Sequence, residues 1–150
     1  MLTGKAFFIY FSPDFHSQKI SAVNKDHNNN NEQESDVVDF SYVMELGGTK
    51  PEFIRQVLTI FMENTPPGLK ELETFVRKGK NWDKIFKQAH FLKSSVGIVK
   101  VKGMHERLQQ IETLAREKKN KKEIIVLLDE IVSTFAVAEK IINEKIESVS

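Results

Sequence analysis

From residue 37 onward the apolar positions of the chain recur every three or four residues, the spacing of helices that each bury one face. Before that point the pattern is missing. A single apolar run, Ala6, Phe7, Phe8, Ile9, Tyr10 and Phe11, precedes a polar stretch that includes consecutive asparagines at 28–31. Such a stretch has too little apolar surface to offset its ordering entropy. Residues 1–36 therefore read as a poorly ordered N-terminal arm or linker; the run at 6–11 reads as a short strand, a docking peptide or the remnant of an upstream module, with docking back on the body the favoured reading. Residues 37–150 read as one helical domain.

Within that domain a short helix is predicted over residues 40–46, ended by Gly47 and Gly48, where a left-handed cap is sterically free. Thr49 is the predicted cap of the next helix, with Pro51 in its first turn and Glu52 three residues after the cap. The apolar line of this helix, Ile54, Val57, Leu58, Phe61 and Met62, then meets Pro66-Pro67, which removes two backbone donors. It resumes at Leu69, Leu72, Phe75 and Val76, so either a kinked helix or two consecutive helices is expected. The cleanest seam comes next: Trp82, Ile85, Ala89, Leu92, Val96 and Val99 alternate steps of three and four. Lys102-Gly103 marks a turn, and Met104, Leu108, Ile111, Leu114 and Ala115 define another helix. After a basic turn at 118–122, Ile124, Leu128, Ile131, Phe135, Ala138, Ile142 and Ile146 outline a last helix over 123–147. Short connections make consecutive long helices antiparallel. The predicted fold class is all-α, an up-and-down antiparallel four-helix bundle with an additional short N-terminal helix.

Composition narrows the chemistry. The chain of 150 residues contains no cysteine, which excludes disulfide frameworks, Cys-ligated zinc, iron–sulfur clusters and thiol nucleophiles. No GxGxxG or GxxxxGK[ST] motif occurs, so no intrinsic ATP or dinucleotide site of those kinds is expected. The longest apolar run has six residues, far short of the roughly 20 that span a bilayer, so no membrane segment and a cytoplasmic location are expected. A formal net charge of +1 gives no global footprint for nucleic acid or lipid. The average hides a local asymmetry. Residues 77–102 carry eight cations against Asp83 alone, a local +7, which predicts a basic face and an acidic partner.

His90 lies in the middle of the best-defined seam, beside the core line through Ala89 and at the edge of the apolar face. A lone histidine at such a rim most often has no chemical role. Its neighbours change that weighting. Lys93 stands one turn on, expected to be largely solvent-exposed and able to place its ammonium near anything attached to the ring; Ser94, Ser95 and Gly97 are small. A helix-interior Gly costs about 1 kcal/mol relative to Ala, which suggests that space beside the ring is useful. An exposed ring nitrogen, a nearby ammonium and a cleared surface suit phosphoryl transfer, which needs in-line approach and compensating charge more than covalent help. His16, His27 and His105 lack such neighbours. No HExxH spacing is present, and the acidic residues read as scattered along solvent faces, so neither a metal site nor a paired-carboxylate hydrolase is indicated.

The stretch His90-Phe91-Leu92-Lys93-Ser94-Ser95, with its surroundings over residues 40–147, resembles the histidine-containing phosphotransfer (HPt) domain of two-component phosphorelays, whose acceptor lies in an H-x-L-K-[small]-[small] pattern on a bundle helix. One departure is Lys100, ten residues after His90, where many members carry Gly. The resemblance implies that His90 is the phosphoacceptor, through Nε2, and that Lys93 helps stabilise the phosphoryl group. Ser94 and Gly97 would leave room for docking, with Phe86 and Lys87 as further partner-binding residues. It implies a carrier rather than a kinase, with no intrinsic cofactor and with Mg2+ supplied by the partner. The partners would be receiver domains of hybrid sensor kinases and response regulators, with no nucleic acid, no membrane and a monomeric chain. Two other classes stand beside this reading: a non-catalytic helical adaptor, and a basic-faced module that binds nucleic acid.

Overall fold

The computed structural model describes residues 36–79 and 81–149. The predicted arm, Asp36 apart, lies outside the described residues, as do the run at 6–11, His16, His27 and Lys80. The described residues form β1 (Val38–Asp39), α1 (Ser41–Gly47), α2 (Pro51–Lys78), α3 (Trp82–Ser95), β2 (Lys100–Val101), α4 (Met104–Glu117) and α5 (Lys121–Ser148). The chain is mostly helical, as the periodicity predicts. Each long helix packs against the next, α2 on α3, α3 on α4 and α4 on α5; α5 also meets α2, and α1 rests on α2.

The Pro66-Pro67 pair interrupts nothing: α2 is a single helix of 28 residues. Two interior prolines deprive the Met62 and Glu63 carbonyls of their usual donors, at a cost of about 3 kcal/mol or more each. Register explains the continuity. Ile54, Val57, Leu58, Phe61, Thr65, Gly68, Leu69, Leu72 and Val76 are all buried and keep one helical face across the prolines. Burial of Leu69, Leu72 and Val76, at about 1.5–3 kcal/mol each, offsets a cost of that size. Thr65 adds a buried hydroxyl contact, its Oγ1 lying 3.1 Å from Ser95 Oγ on α3.

Helix ends depart from the predicted pattern in three places. Lys50 rather than Thr49 is the N-cap of α2, without a side-chain cap bond. Pro51 occupies the first helical position and forces the residue before it into extended backbone, which moves the boundary one residue past Thr49. Gly47 and Gly48 have separate jobs. Gly48 takes the positive φ of 52°, whereas a Cβ on Gly47 would stand 2.4 Å from Ile54 Cγ1. Finally, α3 stops at Ser95, and Gly97 sits in the following turn rather than inside a helix. Ser94, Ser95 and Gly97 are weak helix formers, and the β-branched residues Val96, Ile98, Val99 and Val101 favour extended chain. The helix-interior cost invoked for Gly97 therefore does not arise.

Beyond that turn the chain enters a small antiparallel clasp that the helical pattern conceals. Val38 pairs with Val101 and Asp39 with Lys100, and Lys102 N–H donates to the Val37 carbonyl at 2.9 Å. Val38 and Val101 are both buried, so the segment before α1 is fastened to the α3–α4 connection. Lys100 belongs to this clasp. The seam itself holds through the helix end: Ile85, Ala89, Leu92, Val96 and Val99 are buried.

Candidate functional site

The His90 helix is fixed at both ends and on two sides. At its start the Asn81 side chain accepts from Lys84 N–H at 3.1 Å, and Asp83 in the first turn and Lys93 in the last complement the helix dipole. Against α2 the approach is close, since a Cβ on Gly68 would lie 2.8 Å from Leu92 Cδ2. Gln88 Nε2 donates to the Gly68 carbonyl at 3.0 Å across the same gap. With Ala89 and Leu92 committed to that core, His90 must face the α4 side and the solvent.

His90 is exposed, with 55% of its side chain open, and it stands over a buried carboxylate. Its Nδ1 lies 3.3 Å from Oε1 of Glu112 on α4, a residue only 3% exposed. Lys93 Nζ is 2.7 Å from Glu112 Oε2 and also donates to Gln109 Oε1 at 2.7 Å. Arg116, one turn further along α4, reaches Glu112 Oε1 at 3.4 Å and sets its guanidinium 5.1 Å from the centre of the Phe86 ring. Phe86 in turn stacks on His90, with ring centres 6.2 Å apart and planes inclined by 16°. Phe86, His90, Lys93, Gln109, Glu112 and Arg116 thus form one connected cluster.

Two expectations change here. Lys93 is not a free surface lysine: only 18% of its side chain is exposed, because the ammonium turns to Glu112 and Gln109. Nor do all acidic residues lie on solvent faces. Glu112 continues the buried stripe of α4, four residues after Leu108 and three before Ala115. That position was the available signal: a carboxylate on an inward stripe needs a cation, and the neighbouring helix carries one.

Burial alone would push the Glu112 pKa up. Hydrogen bonding and charge from Lys93 and His90 outweigh it and hold the carboxyl below the ordinary glutamate range. Glu112 is therefore ionised near neutral pH and can only accept. This assigns the hydrogen of a neutral His90 ring to Nδ1 and leaves the lone pair on Nε2. Nε2 makes no hydrogen bond to any of the described residues. The ring is thus oriented by Glu112 on a side chain that stays largely exposed.

The other predicted residues are less tightly gathered. Ser94 Oγ donates to the His90 carbonyl at 3.2 Å, one turn along the helix. Lys87 is exposed and paired with Asp83 at 2.9 Å. Gly97 borders a separate cleft with Val38, Lys100 and His105, beyond the helix end. Phe91 is half-buried against the core. The +7 window does not make one bare basic face. Arg77 pairs with Glu73 and Asp129, Lys87 with Asp83, Lys93 with Glu112 and Lys102 with Asp36, so most partners come from outside the window or from the adjacent turn.

Comparison with known proteins adds one finding. A protein-family model described as the Hpt domain matches residues 56–138, from within α2 to within α5, a stretch that includes His90, Lys93, Glu112 and Arg116. No curated protein and no solved structure matches the chain.

Proposed function

The chain belongs to the Hpt domain family, whose members act in histidine phosphotransfer in two-component phosphorelays, and from that membership we propose that His90 is the residue that carries the phosphoryl group. It accepts the group from an aspartyl-phosphate of one receiver domain and passes it to an aspartate of another. The observation that carries this reading is the divided histidine. Nδ1 is engaged by a buried carboxylate, while Nε2 has no hydrogen bond to any described residue on a side chain that is 55% exposed.

In the forward step the Nε2 lone pair attacks phosphorus in line, the new N–P bond forms as the aspartyl O–P bond breaks, and the receiver carboxylate leaves with the electron pair. Glu112 orients the ring for that approach. Lys93, at i+3, exchanges Glu112 for the phosphoryl oxygens as negative charge arrives beside it. Any Mg2+ belongs to the receiver, and this chain needs no nucleotide of its own. Phe86, Lys87 and Ser94, on the His90 helix, form the proposed docking rim, and Gly97 lies apart from it beyond the helix end.

The helix-to-helix contacts, with α5 closing on α2, support the finer reading of an up-and-down antiparallel four-helix bundle. No helix among the described residues is long and apolar enough to cross a membrane, which is compatible with a monomeric cytoplasmic carrier. Pairing of Arg77, Lys87, Lys93 and Lys102, four of the eight cations in the basic window, with carboxylates weakens the argument for a nucleic-acid partner.

The test is a two-receiver transfer assay. One receiver is phosphorylated and freed of excess donor, and the chain and a second receiver are added. Label is expected to reach the second receiver only when the chain is present. Failure to mediate transfer between any pair of receivers from the host genome would remove the relay reading.

A further inference from the structure

We propose that the end of the bundle where α2 gives way to α3, and α4 to α5, is a basic steering surface. It draws in the acidic flank of a receiver domain, and so sets how fast, and with which receivers, His90 exchanges phosphoryl groups. The inference rests on His90 as the acceptor and adds the surface that governs encounter.

Two loops far apart in sequence meet there. Lys121 Nζ, from the first turn of α5, donates to the Gly79 carbonyl at 2.7 Å and so fastens the α4–α5 loop to the α2–α3 loop. Residues 78–84 and 116–123 thereby share one end of the molecule, where seven cations among the described residues face only Asp83, Glu117 and Glu123. Lys78, Lys84, Lys118 and Lys122 are exposed, and none of them pairs with a carboxylate of a described residue. Half of this surface lies outside the basic window at 77–102, which is why spacing along the chain does not reveal it.

Stability of the fold does not account for these lysines. Lys78, in the last turn of α2, complements the helix dipole, but Lys122 stands in the first turn of α5, where the dipole disfavours a cation. Lys118 holds a positive φ of 52°, a conformation that favours glycine. Lys118, Lys119, Lys121 and Lys122 also crowd like charge into a single short loop.

The basic end runs into the His90 site. Arg116, in the last turn of α4, lies over Phe86, and Phe86 stacks on His90. Lys84 precedes His90 on α3 by about 9 Å along the helix axis. An interface of about 800 Å2 on this chain, centred on His90, extends roughly 15 Å and so ends among these lysines. A receiver is favoured over nucleic acid by the interspersed Asp83, Glu117 and Glu123. Those carboxylates oppose a uniformly anionic phosphate backbone but suit a protein face of mixed charge. Cations at this distance from the reacting phosphorus act on encounter and orientation, and the transfer step itself is unaltered.

The test is the second-order rate of phosphoryl transfer from a phosphorylated receiver to the full chain, measured by rapid mixing at about 20 mM and about 500 mM salt. Lys118→Glu/Lys122→Glu is expected to slow transfer about tenfold at low salt and less than about twofold at high salt. Lys50→Glu/Lys140→Glu makes the same change in net charge at exposed sites away from this end, before α2 and well along α5. It should stay within about twofold of wild type at both salt concentrations. Labelling of His90 by phosphoramidate, a small donor that needs no docking, should be alike in all three proteins. Equal transfer rates in wild type and Lys118→Glu/Lys122→Glu at low salt would overturn the proposal. So would an equal loss in the two variants, or a loss that persists at high salt. Should the Glu pair not fold, Lys118→Gln/Lys122→Gln takes its place with an expected loss of about threefold at low salt, and no loss again overturns the proposal. Loss of duplex DNA binding by either pair without loss of transfer would assign the surface to nucleic acid instead. Absence of label on His90 of the wild type from both donors would defeat the acceptor assignment on which the inference rests.

Discussion

On the side of α3 that meets α2, contact is made by shape: Gly68 lets Leu92 approach, and Thr65 and Ser95 share a buried hydroxyl contact. On the side that meets α4, contact is made by charge. Glu112 is buried beneath His90, Lys93 and Arg116. The first interface has little room for a change of volume and contains no ionisable group at these contacts. The second is partly open, and it depends on which atoms are charged. One helix of 14 residues therefore carries a rigid back and a responsive front.

The sharpest way to separate the two faces is to damage each and compare. Leu92→Ala should cost about 2–5 kcal/mol in urea unfolding, because Leu92 is fully buried and the gap cannot refill. Phosphate acceptance per folded molecule should be unchanged. Glu112→Gln should cost less, about 1–3 kcal/mol at neutral pH, from the loss of bonds to charged groups. A larger loss from Glu112→Gln than from Leu92→Ala would invert the comparison.

The Glu112 loss should also depend on pH. Its carboxyl is held below the ordinary range in the fold, so its contribution is fully present above the unfolded value and disappears as pH falls through the folded one. The difference between wild type and Glu112→Gln should shrink across that acidic window, while the Leu92→Ala deficit changes little. Asp39, lowered by hydrogen bonds from Ser41, adds the same sign of acid dependence to wild type and both variants alike. A Glu112→Gln difference that is flat with pH would contradict the assigned charge.

Lys93→Ala probes the front alone. Phosphoryl uptake from a receiver should slow about tenfold, or about 1.4 kcal/mol of barrier, with a stability loss near 1 kcal/mol because Glu112 loses its nearest cation. Uptake at the wild-type rate would remove the role proposed for Lys93. Lys87→Ala should do least. Its pair with Asp83 is exposed at both ends, so unfolding should shift by no more than about 0.5 kcal/mol.

The back of α3 was legible in the sequence and much of the front was not. Ile85, Ala89, Leu92, Val96 and Val99 announce their burial by spacing, because apolar burial is a property of one helix at a time. The cluster beside His90 joins residues 22 positions apart, and whether Lys93 is free or paired depends on what α4 presents to it. Helix ends were legible to within a few residues. The error at Gly97 arose because a run of seam residues continues past the helix into a turn and a strand. Local spacing does not distinguish these. Proline provides the opposite case, a local break signal at Pro66-Pro67 overruled by burial on both sides. Gly68 could have been found as a residue without a side chain on a face otherwise lined by Leu69 and Leu72.

The central claim is that the exposed ring nitrogen of His90 takes the phosphoryl group. The direct measurement is incubation of wild type and His90→Gln with a phosphorylated receiver, then acid and alkali treatment of the recovered chain and identification of the labelled residue by mass spectrometry. The account predicts acid-labile, alkali-stable phosphate on His90 of the wild type and none on the variant, with both proteins equally folded. Equal labelling of His90→Gln, or label on another residue of the wild type, would contradict it.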